Sequence, residues 1–297
     1  MRTILEVTGG KGGNAYLVAG KTHAALIDCG MAYCAAKMIG NIRDSLGARP
    51  VDYIMLSHSH YDHVGAVPYL KAAWPDSQVL AAEHARHVLS SPRALKTIRD
   101  LGMQAARVYR SEPIGAYEDR SMQVDRVIGD GDQMDLGGTT VSVLATPGHT
   151  RCSLTFTVNA TTLFASESTG YMSKSGKIYP SFITSYADAV DSIRRCRDFR
   201  PKHIFSPHYG QIAAQDVPDY WDRCLRAAQD TADFVRRLSE QGYDEEQILA
   251  EYEKKFRDAE SRLEQPLYAF RMNTQFMIRN LLQAAVDGVT VQYRNDQ

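Results

Sequence analysis

Six residues constrain this chain more than anything else in it. The run His58-Ser59-His60-Tyr61-Asp62-His63 follows through Ser57 directly on Val51–Leu56, a stretch that reads as a buried strand. A strand end followed by a turn is where α/β folds place ligand-binding groups. Three imidazoles and one carboxylate between positions 58 and 63 offer nitrogen and oxygen ligands suited to zinc, iron or manganese. So short a loop cannot bring all four to one ion, so the spacing points to two neighbouring divalent ions. Two further histidines follow strand ends: His149 in Thr146-Pro147-Gly148-His149-Thr150, and His208 in Ser206-Pro207-His208-Tyr209-Gly210. His23, His84, His87 and His203 stand alone and read as surface or core residues.

Around these loops the pattern alternates. Asn14–Ala19 and His23–Asp28 read as a hairpin turned at Gly20-Lys21, and Ala32–Leu46 as a helix closed by Gly47. A helix over Val64–Ala73 and a strand over Gln78–Ala82 follow. From about 84 to 123 strand signals vanish and helical spacing takes over (Arg86–Ser90, Ala94–Tyr109), an insertion of the kind that covers or shapes a site. Strands resume at Thr139–Ala145, Ser153–Val158 and Thr162–Ala165, then a helix over Ala187–Phe199 and a strand over His203–Phe205. Beyond Pro218 the chain reads as helical over Tyr220–Gln241, Glu245–Phe256 and Leu267–Val286, with a last strand at Val289–Tyr293. The expected division is an α/β catalytic domain over residues 1–215 and a helical extension over 216–297, packing on or near the site.

With 34 basic and 35 acidic residues, the chain lacks the basic surface a nucleic-acid binder uses to neutralise phosphates. Glu6 interrupts the only short apolar run near the start, and no stretch approaches the length of a spanning helix. A cytoplasmic protein without a membrane partner is the expectation. Five cysteines, an odd number with no close metal-binding pair, read as reduced thiols. Gly9-Gly10-Lys11-Gly12-Gly13 precedes a strand rather than a helix, so it reads as a turn and not as a phosphate cradle.

These residues carry a family likeness. The 58–63 run resembles the HxHxDH signature of metallo-β-lactamase-fold hydrolases, and Thr146–Thr150 resembles that family's third-histidine loop. Leu26-Ile27-Asp28-Cys29-Gly30 is similar to its early LIDxG element, and Ser206–Gly210 to its final histidine loop. The likeness spans residues 10 to 215. It implies a four-layer αββα sandwich with metals at the shared edge of its sheets. It also implies that His58, His60 and His149 bind one ion, and that Asp62, His63 and His208 bind the second. Where the family places a bridging aspartate, this chain has Leu163-Phe164-Ala165-Ser166-Glu167-Ser168, so Glu167 is the ligand expected there. Asp28 is expected to orient a ligand rather than to be one.

Two such ions would activate a shared water for attack on a carbonyl or phosphoryl centre. Asp62 would orient that water, and Tyr209 would donate to the oxyanion. The segment from His60 to Lys71 resembles the thioesterase of bacterial alkylquinolone signalling, which favours a small ester or thioester as substrate. Tyr171, Tyr179, Phe182 and Tyr186 follow Glu167 and are expected to line the pocket. Two other classes stay open. A di-iron enzyme handling dioxygen would suit histidines plus a glutamate, although the segment after 215 is too short for the flavodoxin domain of the flavin-linked members. A partner-binding effector with weak hydrolase activity would use the helical extension, whose apolar spacing over Leu267–Leu282 also suits a homodimer face.

Overall fold

The computed structural model describes residues 3–109, 115–258, 262 and 266–286. The strand expected at 289–293 lies outside them. Six strands form the first sheet in chain order: β1 (Ile4–Glu6), β2 (Tyr16–Ala19), β3 (Ala24–Ile27), β4 (Tyr53–Met55), β5 (Gln78–Ala81) and β6 (Arg126–Val127). β1, β2 and β3 pair antiparallel, whereas β3 to β6 pair parallel. The second half of the chain supplies β7 (Gln133–Asp135), β8 (Thr140–Ala145), β9 (Leu154–Val158), β10 (Thr162–Phe164), β11 (Tyr171–Met172), β12 (Ile178–Tyr179), β13 (His203–Ser206) and β14 (Gly210–Gln211). The second sheet runs β14-β13-β10-β9-β8-β7, and β11 with β12 makes a small separate hairpin.

Period-two alternation builds the layers, because successive side chains leave opposite faces of a strand. In the first sheet Leu17, Leu26, Ile54 and Val79 pack outward with Met38, Ile42 and Leu70, which lie on α1 (Ala35–Leu46) and α3 (Val67–Ala73). Their neighbours Val18, Ala25, Ile27, Met55 and Leu80 face inward and meet Val141, Val143, Phe156 and Phe164 of the second sheet. That sheet's outward residues, Leu163 and Ile204, join a third core with α6 (Tyr186–Asp198), α7 (Tyr220–Glu240), α8 (Glu245–Phe256) and α9 (Leu267–Val286). The result is the αββα sandwich. The central strands β3, β4 and β5 carry buried apolar residues on both faces, which is why they read as continuous hydrophobic runs. Phe270, Met277 and Ile278 of α9 sit in the same core as Ile193 of α6.

One predicted helix divides. In place of a single helix over 64–73, α2 (Tyr61–Val64) starts inside the histidine run, and two residues separate its end from the start of α3. A side chain at the intervening Gly65 would press on Ala32 N and Tyr61 O at 2.6 Å, so the break lets the chain pass close to its neighbours. The insertion carries α4 (Glu83–Leu89) and α5 (Pro92–Val108); Ser91 caps α5, with Pro92 at its first position.

Candidate metal centre

The turn after β4 holds the histidine run, and Asp28, just past β3, holds the turn. Its carboxylate accepts the Ser57 N–H and the Ser57 hydroxyl, each at 2.7 Å, and lies 2.9 Å from His63 Nδ1. Ser57 Oγ also stands 3.0 Å from His58 Nδ1. One carboxylate thus fixes the rings of His63 directly and His58 through a hydroxyl. The Cys29 thiol donates to the His63 carbonyl at 3.0 Å, tying the same loop to β3 from below.

The second sheet brings up the other side. Gly148, at φ 133°, turns the chain so that His149 faces inward, and its carbonyl accepts the Thr184 N–H at 2.9 Å and the Ser185 N–H at 3.1 Å. Ser181 lies beside His149 Nδ1 through both its carbonyl (2.8 Å) and its hydroxyl (2.9 Å). Glu167 opens a single 3-10 turn after β10.

Two groups of side chains converge. His58, His60 and His149 form one, Asp62, His63, Glu167 and His208 the other, and within each the ligand atoms lie within 4.8 Å of one another. Glu167 belongs to both in effect. Its Oε1 lies 2.8 Å from His63 Nε2 and 2.8 Å from His208 Nε2, and its Oε2 lies 3.2 Å from His149 Nε2. Asp62 Oδ2 stands 3.7 Å from His63 Nε2 and 3.8 Å from His208 Nε2.

The donor set fits cations. His58 Nε2 is buried without a hydrogen-bond partner among the described residues, and such orphaned polar atoms are rare. His60 Nδ1 and His149 Nε2 face each other at 2.9 Å, an arrangement natural for two lone pairs aimed at one centre. Three nitrogens on one side, with two nitrogens and two carboxylates on the other, suit divalent ions of the zinc, iron or manganese kind.

Electrostatics follow from depth. Burial holds His58 and His149 neutral and lowers His60 to about 3, each helped or opposed by its charged neighbours. Burial also works against charge on His63, yet the Asp62 and Asp28 carboxylates overcome it and raise its pKa well above the ordinary value. At Glu167 burial is likewise overcome, by His149 and His208, and the carboxyl stays well below its usual range. Burial pushes the Asp62 carboxyl up. Each group keeps some access: His60 is partly exposed in the first, and Asp62 and His208 remain 17% and 16% exposed in the second.

Of the expected pocket residues, Tyr171 stands edge-on to His208 at 5.4 Å and stacks on Tyr179 at 5.6 Å. The Tyr209 ring lies 6.1 Å from that of His208, on a backbone with φ 67°. Phe182 and Tyr186 do not line the site. They are 1% and 2% exposed and pack in the third core at the start of α6, their ring centroids 5.1 Å apart and edge-to-face. Their bulk next to an amphipathic helix already points inward. Sequence reasoning also missed Ser57 and Ser181, because single hydroxyls carry no pattern. It missed Tyr61, Tyr109 and Tyr268, which lie within electrostatic reach of Asp62.

The family model of the metallo-beta-lactamase superfamily matches residues 8–208, a span that holds every residue of both groups. This chain belongs to the metallo-beta-lactamase superfamily. A relative from Sulfurisphaera tokodaii, a metallo-beta-lactamase fold-containing protein, is 24% identical over 71% of this chain and 77% of its own. The solved structure of a metallo-beta-lactamase family protein from Thermus thermophilus superposes with a TM-score of 0.67 at 17% identity, covering 96% of this chain and 95% of that one. A coenzyme F420H2 oxidase from Methanocaldococcus jannaschii is 28% identical over 45% of this chain but only 27% of its own length. Among the described residues, no helix of this superfamily member is long and apolar enough to cross a membrane.

Proposed function

We propose that this metallo-beta-lactamase superfamily member is a dinuclear metal-dependent hydrolase of a small ester or thioester. The observation that carries it is Glu167, which turns one oxygen to each of two ligand groups. His58, His60 and His149 would hold one ion and Asp62, His63 and His208 the other, with Glu167 between them. Bound divalent ions supply Lewis acidity and bring the pKa of water to near neutrality.

The chain's own groups do the rest. Asp62, itself partly exposed, orients the attacking water. Tyr209 donates to the developing oxyanion. Asp28 and Ser57 keep the His63 and His58 rings aimed, so neither has to reorganise during turnover. The substrate is a small molecule met in the cytoplasm. The exposed Met272 and Phe276 of α9, four residues apart and so on one side of the helix, provide a face for a homodimer, which light scattering of wild type against Phe276→Glu tests.

Metal content by plasma mass spectrometry, on untagged protein purified without chelator, decides first. About two equivalents of zinc or manganese, with turnover of an ester and thioester panel, is the expected result. A second reading, dioxygen chemistry at a di-iron centre, draws on the carboxylate shared between the groups and on the likeness to the F420H2 oxidase. Iron together with oxygen uptake and no ester turnover would put that reading first. Metal well below one equivalent after reconstitution would favour a partner-binding effector.

A further inference from the structure

The hairpin of β11 and β12 links the metal centre to the helical part of the chain, and each of its strands carries a tyrosine. Gly170 joins β11 to the turn that Glu167 opens, and its N–H donates to the Glu167 carbonyl at 2.9 Å. A side chain on Gly170 would meet the Tyr179 carbonyl at 2.7 Å, so β12 lies close against that turn. Tyr171 stacks on Tyr179 at 5.6 Å and meets His208 edge-to-face at 5.4 Å. The Met172 N–H donates to the Ser206 hydroxyl at 3.4 Å, at the end of β13 that leads into His208. One face of the hairpin thus touches the approach to two ligands.

Its other contacts run to the helices. The Lys177 ammonium donates to the Asp258 carboxylate at 2.7 Å and to the carbonyl of Phe256, the last residue of α8, at 2.9 Å. The cation there meets a carboxylate and the negative end of a helix together. The Tyr179 hydroxyl donates to the same carboxylate, 3.2 Å from each oxygen, and Lys177 Nζ lies 4.9 Å from the Tyr179 ring. Arg223 of α7 donates to the Gly176 carbonyl in the hairpin turn and pairs with Asp216 at 3.0 Å. An exposed ion pair alone holds little, but the Asp258 carboxylate gathers two donors, one of them from a buried tyrosine. We propose that Asp258 is a positioning residue for the metal centre: by gripping Lys177 and Tyr179 it seats the hairpin, and Tyr171 then holds the His208 ring and the Glu167 turn in place. What the centre turns over rests on the hydrolase reading above, whereas this clamp does not.

The test sets Asp258→Asn, Lys177→Met and Tyr179→Phe against Arg271→Met, which breaks a 2.8 Å pair to Glu253 between α9 and α8. Melting curves check that each variant folds. In metal-free protein, the NMR signals of the His208 ring should move in the three clamp variants and stay in Arg271→Met, with those of His58 unchanged throughout. Titration with cobalt(II) should then show one binding step weakened about threefold to tenfold, less than for a direct partner of a ligand because the effect crosses two rings. Asp258→Asn combined with Lys177→Met should add little to either alone, as for residues acting through one contact. If wild type takes up no cobalt, the metal reading falls and the His208 signals still decide the clamp. His208 signals unmoved in all three variants, equal movement in Arg271→Met, or cobalt affinity equal to wild type in every clamp variant overturns it.

Discussion

At the scale of single residues, the centre depends on geometry that side chains outside the ligand set maintain. Asp28→Asn keeps the shape but turns an amide toward His63 Nδ1 and the Ser57 hydroxyl, so one contact must invert. Metal affinity is expected to fall about 10–100-fold, read by competition with a chromophoric chelator; unchanged affinity would count against Asp28 as an orienting group. His60→Ala should abolish metal binding and turnover together, and full activity in that variant would rule out the mechanism. Acid gives a third check. In the unfolded chain imidazole protonates near 6.5, whereas folded His60 resists protonation down to about 3, and His58 and His149 are lowered with it. Below 6.5 the unfolded state takes up protons the folded one refuses, so stability is lost as pH falls. The raised His63 acts with the opposite sign, but it is one ring against three. Melting temperatures of metal-free protein should drop steadily from about pH 6.5 to 4, and a flat profile would contradict the buried, neutral rings. These positions were legible in the sequence because the imidazoles crowd one loop and recur after strand ends. Ser57 and Ser181 were not, since one hydroxyl looks like any other until the fold brings a ring to it.

Elements turn those residues into a site by where they stop. The His149 loop depends on Gly148, whose φ of 133° suits only glycine and whose Cβ would lie 2.6 Å from the Ala189 backbone. Gly148→Ala is expected to cost about 2–4 kcal/mol in urea unfolding and to lower metal content as well. Loss of stability with full metal loading would separate the turn from the centre. The glycine run read as a turn does more than turn. A side chain at Gly13 would meet the Asp62 carbonyl at 2.0 Å, so the loop between β1 and β2 presses directly on the ligand run. Long periodic elements such as α1, α7, β8 and β9 were predictable within a few residues. The strands β1, β6, β7, β11, β12 and β14 were not, because two or three residues are too few to display a period and their pairing is set by neighbours distant in sequence.

For the whole molecule, the three apolar layers make the sandwich one cooperative object. Phe156, fully buried between the sheets, should cost about 3–5 kcal/mol when replaced by alanine, as a loss of midpoint in denaturant with little change of slope. The layer order was legible from the family likeness and from strands apolar on both faces. That α9 shares a core with α6 was not, because its apolar spacing suits several partners equally well. Each ligand group also draws on both halves of the chain: His58, His60, Asp62 and His63 come from the first sheet's half, and His149, Glu167 and His208 from the second's. An ion in either place would therefore tie the two halves across the apolar layer that already joins the sheets. Bound metal should raise the melting temperature of the intact chain, and an unchanged midpoint after chelation would show that the layer alone sets stability.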